Sequence, residues 1–391
     1  AKLIVYTLCG VDPYKTLPVM LDVGTDNPIL LNDPMYLGWR HKRVRGKEYD
    51  DFIHKFVQAV KRKFPHAFLH WEDFGRANAR RILEKYENEH CSFNDDMQGT
   101  GVVTLASLLS AISATNIPME KQRVVIYGAG TAGVGIADQL YDAMLRSGMS
   151  EKEARKNFWL IDRDGLLIKG DPQVSDFQVP YARDKSDVKA WPIQHNIDLL
   201  TVVRQVAPTI LVGTSTVRGA FTEEIITTMA SKVALPIIFP LSNPTENCEA
   251  QPLNVLQWTQ GKALIATGSP FDPVQIEGHT YEVAQCNNAL SFPGIGLGII
   301  ATRASKLTDN MLWAASLALS ELSPVRSSPT KPVLPNIKEV RRVALLVAQK
   351  VAEAAIHDNV ARVVPSTSIL DLINANLWQP YYREIRPGTK K

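Results

Sequence analysis

Two short acidic runs stand out for the chemistry they could do: Glu72-Asp73, and Asn94-Asp95-Asp96 further along the chain. Grouped carboxylates suit a hard divalent cation, Mg2+ or Mn2+, which takes oxygen ligands in an octahedral array and leaves room for substrate oxygens. Glu72, Asp73 and Asp96 could supply three such carboxylates from the ends of neighbouring elements. Adjacent acids are costly when unpaired, because like charges repel. The plainer reading is helix capping, by Glu72-Asp73 at one helix and Asn94–Asp96 at another. The residue types by themselves leave both readings open.

A second chemical signal is Gly128-Ala129-Gly130-Thr131-Ala132-Gly133, entered from the apolar run Val124–Tyr127 and followed by a helical pattern. In strand–turn–helix order each glycine serves a different purpose. The first permits a tight turn, the second lets the backbone approach a pyrophosphate, and the third lets helix and strand pack closely. The pyrophosphate would rest on the amides and positive dipole end of the helix. Asp162, closing the next apolar run, is placed to bind adenosine ribose hydroxyls and disfavour a 2′-phosphate, which points to NAD. Arg163 beside it could hold that phosphate instead. A glycine turn without a ligand is the bland alternative.

Alternating strand and helix patterns must position these groups. Residues 17–23 (LPVMLDV) read as a buried strand, 47–64 as an amphipathic helix, 67–71 as a strand ending at Glu72-Asp73, and 76–88 as a helix. Residues 92–96 then fall in a loop, and 98–117 read as a long apolar helix joining two domains. Strands are expected at 123–127, 158–162, 209–212, 236–240 and 264–267, with helices between most of them, which is the signature of a parallel α/β unit. Beyond Gly294 the pattern is helical (295–307, 309–322, 337–357), with a Pro/Ser-rich linker at 323–335 and an aromatic, basic end containing Trp378, Tyr381 and Tyr382.

Composition narrows the function classes. The 391 residues are 45% hydrophobic and 21% charged, the profile of a soluble globular chain with room for two domains. A net charge of +3 argues for neither nucleic acid nor an anionic membrane as partner. Cys9, Cys91, Cys248 and Cys286 show no metal-ligand spacing and fit free thiols in a reducing compartment, so the cytoplasm is the expected location. The chain begins Ala1-Lys2-Leu3 without Met and runs straight into LIVYTLCGV, so a preceding portion is expected to be missing.

Taken in order, HWEDFGRANA, FNDDMQGTG, GAGTAGVGIAD, LSNPT, ATGSPF and QCNNALSFPGIGLG resemble the malic enzyme family over essentially the whole chain, close to bacterial NAD-dependent malic enzymes and to malolactic enzymes. The resemblance implies an α/β fold. It comprises the remnant of an N-terminal α/β catalytic domain (1–97), a Rossmann-type parallel-sheet NAD domain (98–360) and a helical C-terminal extension ending in a tail (361–391). It implies oxidative decarboxylation of malate to pyruvate with NAD and Mg2+ or Mn2+, in a homodimer or homotetramer. Glu72, Asp73 and Asp96 resemble the metal ligands, Asp95 a supporting acid, and Lys2 the general base, active if burial and the nearby cation lower its pKa. Asn243 and Asn287 resemble residues that hold substrate carboxylate near the nicotinamide, and Gly213-Thr214-Ser215 is expected to line the cofactor pocket.

The family's tyrosine acid and substrate-gripping arginine would lie upstream of Lys2, and Tyr6 and Tyr14 do not match that motif. These residues alone are therefore expected to bind nucleotide but turn over malate poorly. Two other outcomes stay open: a malolactic enzyme that retains NAD and releases lactate, and a non-catalytic nucleotide-binding or assembly module.

Overall fold

The computed structural model describes residues 1–192 and 196–381. The chain opens with α1 (Lys2–Leu8), followed by the short α2 (Pro28–Asn32), started by the Asn27 cap and Pro28 in its first turn. Residues 17–23 are not a strand: they pair with no other strand among the described residues, and Leu17, Val19 and Met20 are exposed. In α3 (Gly46–Lys63), Tyr49, Ile53 and Val57 recur at helical spacing and bury one stripe. They pack on Trp71 of β1 (Leu69–Trp71) and on Ile82 and Tyr86 of α4 (Arg76–Tyr86).

β2 (Ser92–Asn94) lies where a loop was expected, and runs parallel to β1 with Trp71 opposite Asn94. This register sets the two acidic runs, which directly follow β1 and β2, side by side. A π-helical turn (Asp95–Gly99) then leads into α5 (Thr100–Thr115). Residues Asp95–Thr115 are long and apolar enough to cross a membrane, but 67% of that span is buried inside the protein. Val103, Ala106, Leu108 and Ala111 are all enclosed, so α5 is apolar on every side because it is covered on every side.

The main sheet is assembled from β3 (Val124–Tyr127), β4 (Phe158–Asp162), β5 (Gly165–Leu166), β6 (Ile210–Gly213), β7 (Ile237–Pro240) and β8 (Leu264–Thr267). An antiparallel ribbon of β9 (Val274–Ile276) and β10 (His279–Tyr281) leads to the last strand, β11 (Ala284–Gln285). The order is β11-β8-β7-β6-β3-β4-β5, parallel throughout except where β5 folds back on β4. Connecting helices are α6 (Thr131–Arg146), α7 (Glu151–Lys156), α8 (Leu199–Val206), α9 (Glu223–Ala230) and α10 (Pro252–Trp258). Val125, Leu211, Ile238 and Ile265 point to the face covered by α8, α9 and α10, while Val124, Ile126, Ile210, Val212 and Phe239 point to the α5 and α6 side. Strands buried on both faces read as unbroken apolar runs, which is why the sequence located them within a residue or two. Strand order reverses between β3 and β6, and the crevice at such a switch point, outside the carboxyl ends of the strands, is where parallel α/β sheets take ligands.

A layer of α11 (Phe292–Thr302), α12 (Asp309–Glu321), α13 (Val340–His357) and α14 (Ile369–Asn376) completes the molecule. The Pro/Ser-rich stretch before α13 is not a free linker, since Val325, Val333 and Leu334 are buried. The layer also seats α1. The Tyr6 ring packs edge-on against Phe292 at 4.9 Å, and a Cβ on Gly296 would come within 2.7 Å of that ring. Trp378 is half-buried and its N–H donates to Gly10 O at 2.7 Å, so it packs on its own chain; Tyr381 is exposed, and Tyr382 lies outside the described residues.

Candidate active site

Parallel pairing of β1 and β2 gathers the acids, and docking of α1 brings Lys2 to them. Lys2 Nζ lies 3.1 Å from Glu72 Oε1 and is also hydrogen-bonded to Asp95 Oδ2. Asp95 is fully buried, and its Oδ2 also accepts from Asn288 Nδ2 at 2.7 Å. Glu72, Asp73 and Asp96 can each turn a carboxylate oxygen to within 4.8 Å of the others. The Asp73 amide donates to Asp96 Oδ2 at 2.8 Å, with Asp73 itself at φ +60°. A π-helical turn often marks a functional position. Here it lets consecutive residues diverge, Asp95 going inward to Lys2 and Asp96 to Asp73.

Among the described residues none of these acids makes a capping hydrogen bond: α4, whose N-cap is Gly75, has no side-chain cap there, and the π-helical turn is capped by Asn94, whose Oδ1 accepts from Met97 N at 3.0 Å. His70 joins the cluster, with Nε2 3.4 Å from Glu72 Oε2 and Nδ1 2.8 Å from the Tyr6 hydroxyl.

The charges shift one another. Burial pushes the Asp95 carboxyl up to about 6, although the Lys2 hydrogen bond and charge oppose it. Burial also raises Asp96, against the pull of the Asp73 amide. Glu72 is lowered, because hydrogen bonding from His70 and the Lys2 charge outweigh burial. For Lys2 burial favours the neutral amine, but Asp95 and Glu72 outweigh it and its pKa is raised. That differs from the expected lowering, because two carboxylates of this chain face the ammonium directly.

At the switch point Gly128 takes φ +103°, and a Cβ there would sit 2.5 Å from the Ser215 amide nitrogen. A Cβ on Gly133 would meet Gly128 O at 2.2 Å, so the close approach of α6 to its strand needs glycine. Space opposite Gly130 is open, and no side chain caps α6, so the amides of Thr131, Ala132 and Gly133 stand at a helix N-terminus suited to an anion. Asp162 lies at the carboxyl end of β4, held by Gln178 Nε2 at 2.8 Å, and the same Nε2 donates to Ala129 O at 2.7 Å. Exposed Arg163 borders a small cavity together with Asp162 and Gln178.

The loop after β6 closes the other side, with Thr214 Oγ1 donating to Gly128 O at 2.7 Å. Asn243 follows β7, and its Oδ1 accepts from Ser269 Oγ at 2.6 Å. From there the chain bridges to the acids: Gln285 Nε2 donates to Gly268 O at 3.1 Å, and Asn288 reaches Asp95. Asn287 Oδ1 caps the following turn through Ala289 N at 2.9 Å, and its neighbour Asn288 is the asparagine bonded to Asp95. Sequence alone assigns no role to Asn288, His70 or Gln178, and Tyr6 enters there only as not matching the tyrosine motif. Asn288 and His70 lie within the blocks QCNNALSFPGIGLG and HWEDFGRANA, while Gln178 gives no signal.

Two family models match the chain: "Malic enzyme, N-terminal domain" over residues 1–87 and "Malic enzyme, NAD binding domain" over residues 97–356. NAD-dependent malic enzyme 3 of Bacillus subtilis is 51% identical, covering 98% of this chain and 68% of that protein. The NAD-dependent malic enzyme of Shewanella frigidimarina is 46% identical, covering 98% and 69%. Among solved structures, an NAD-dependent malic enzyme from Thermotoga maritima superposes with a TM-score of 0.59 at 27% identity, covering 80% of this chain and 72% of that one. A malic enzyme from Entamoeba histolytica shares the fold, with a TM-score of 0.70 at 24% identity over 96% of this chain and 68% of that one.

Proposed function

The chain belongs to the malic enzyme family, and we propose that its acid cluster, Lys2 and the carboxyl edge of its sheet carry out that chemistry together. The reaction is oxidative decarboxylation of malate to pyruvate and CO2 with reduction of NAD. A hydride leaves C2 for the nicotinamide, the C2 hydroxyl gives up its proton, the C4 carboxylate departs as CO2, and C3 is protonated.

The observation that carries the assignment is the convergence of Lys2, Glu72, Asp73, Asp95 and Asp96 at the ends of β1 and β2. An all-carboxylate donor set fits a hard cation, and Glu72, Asp73 and Asp96 would hold Mg2+ or Mn2+. When bound, such a cation supplies a Lewis acid for the C2 oxygen. Lys2 takes the hydroxyl proton, and Asp95, fixed by Asn288, orients the amine and balances its charge. Burial favours the neutral amine that a base must be, while Asp95 and then Glu72 hold the proton on it; a Glu72 engaged as ligand would remove the smaller of those two oppositions.

The amides of Gly128–Gly133 cradle the pyrophosphate and Asp162 takes the ribose hydroxyls. Gly213, Thr214, Ser215 and Asn243 line the pocket towards the nicotinamide. Asn243 and Asn287 reach substrate, Asn287 through its side-chain nitrogen, which among the described residues is held only by a long contact of 3.4 Å to Gln285 Oε1 while its oxygen accepts from Ala289 N. On this reading residues 1–97 carry the acid–base half, 98–360 the nucleotide half and 361–391 a tail, in a homodimer or homotetramer.

A protein that carries this chain together with the family's tyrosine acid and arginine, given malate, NAD+ and Mn2+, should release pyruvate and NADH in equal amounts, whereas residues 1–391 alone should bind NADH and turn malate over only slowly. Lactate without NADH would mark a malolactic reaction and contradict the reading. Nucleotide binding with no turnover at any malate concentration would instead favour a non-catalytic module.

A further inference from the structure

We propose that Glu249 is a positioning residue that ties the loops after β6 and β7 into one frame for the dinucleotide, a role resting on the reading of this sheet edge as the NAD site. Glu249 is completely buried and forms no ion pair with a described Lys, Arg or His. A lone buried carboxylate is expensive unless donors surround it. Here Oε1 accepts from Ser215 N at 2.8 Å, Ser215 Oγ at 2.8 Å and Ser242 Oγ at 2.5 Å, and Oε2 accepts from Ser242 N at 3.3 Å. Two donors come from the loop after β6 and two from the loop after β7.

The charge fixes proton direction as well as position. With both hydroxyl protons drawn to Glu249, the serine oxygens are left as acceptors. Ser242 Oγ accepts from Thr216 N at 2.8 Å, and Ser215 Oγ accepts from Val217 N at 3.1 Å. Thr216 has φ +58°, a conformation that a β-branched residue rarely adopts. Its amide is thus held by a serine that the carboxylate orients. The frame reaches the cofactor side directly, since Thr214 bonds Gly128 O and the Ser215 amide backs onto Gly128. Gly213 makes room for the carboxylate, as a Cβ there would lie 2.5 Å from the Glu249 carboxyl carbon. Among the described residues Glu249 directs its hydrogen bonds to Ser215 and Ser242 of this chain. It sets where the turn beneath the nucleotide sits.

The test is NADH binding by fluorescence and Mn2+ binding by paramagnetic resonance in E249Q and S242A. Glutamine keeps the shape but directs an NH2 group at one loop, and S242A removes one brace while leaving the carboxylate. E249Q is expected to weaken NADH binding about tenfold or more, and S242A less, with Mn2+ affinity unchanged in both. If E249Q does not fold, S242A decides. A folded variant that binds NADH as tightly as the unsubstituted protein, or one that loses Mn2+ and NADH affinity in parallel, overturns the proposal. Failure of the unsubstituted protein to bind NADH would overturn the cofactor reading and this role with it.

Discussion

Lys2 faces Asp95 and Glu72 at once, and a base so placed works only while its partners are engaged. K2A should lower kcat by about 10²–10⁴, the range for loss of a positioned proton acceptor, with NADH affinity unchanged. D96N should weaken Mn2+ binding at least about tenfold, which titration of the paramagnetic signal would read. The thiols give a prediction remote from the acids. Burial pushes Cys9 and Cys286 up to about 11 and Cys91 to about 12. At pH 8 these native thiols should react with iodoacetamide at least about a hundredfold more slowly than free cysteine, and at the free rate once unfolded. Because the folded values are raised, their stability contribution is fully present below the ordinary thiol range and is lost as pH climbs towards 11 to 12. Denaturant midpoints from pH 8 to 11 should therefore fall. What could be read at this scale was what the backbone itself demands: the glycines of 128–133 and the clustering of acids. Asn287 and Asn288 could not be told apart, because a turn decides which of two neighbours caps and which reaches Asp95.

Close packing between elements gives sharper tests than exposed contacts do. In G133A a methyl group would press on Gly128 O and force α6 from β3. Overpacking of this kind costs about 1–3 kcal/mol, visible in a denaturant melt, and NADH affinity should fall with it. G296A would instead push on the Tyr6 ring and tilt α1. It should lower kcat about tenfold while leaving NADH binding intact, because Lys2 rides on that helix. The core strands were legible because both faces are buried. The N-terminal half was harder. LPVMLDV has a strand's composition but pairs with no strand among the described residues, and Ser92–Asn94 looks like a loop until β1 lies alongside it. Pairing between distant segments is a tertiary fact that composition does not carry.

Across the whole molecule, the acid–base groups and the nucleotide crevice arise on different sheets, and the Gln285–Asn288 segment spans them. The C-terminal helices seat the N-terminal one, so Lys2 depends on contacts made by α11 and α13, far away in sequence. Such an arrangement predicts that hydride transfer and decarboxylation occur at one junction. Turnover of malate carrying deuterium at C2, with NAD+ and Mn2+, tests this most directly. The label is expected to leave on NADH, with pyruvate formed in equal amount. NADH formed without loss of CO2 would contradict a single shared centre, and label retained at C2 of lactate would contradict net oxidation of malate.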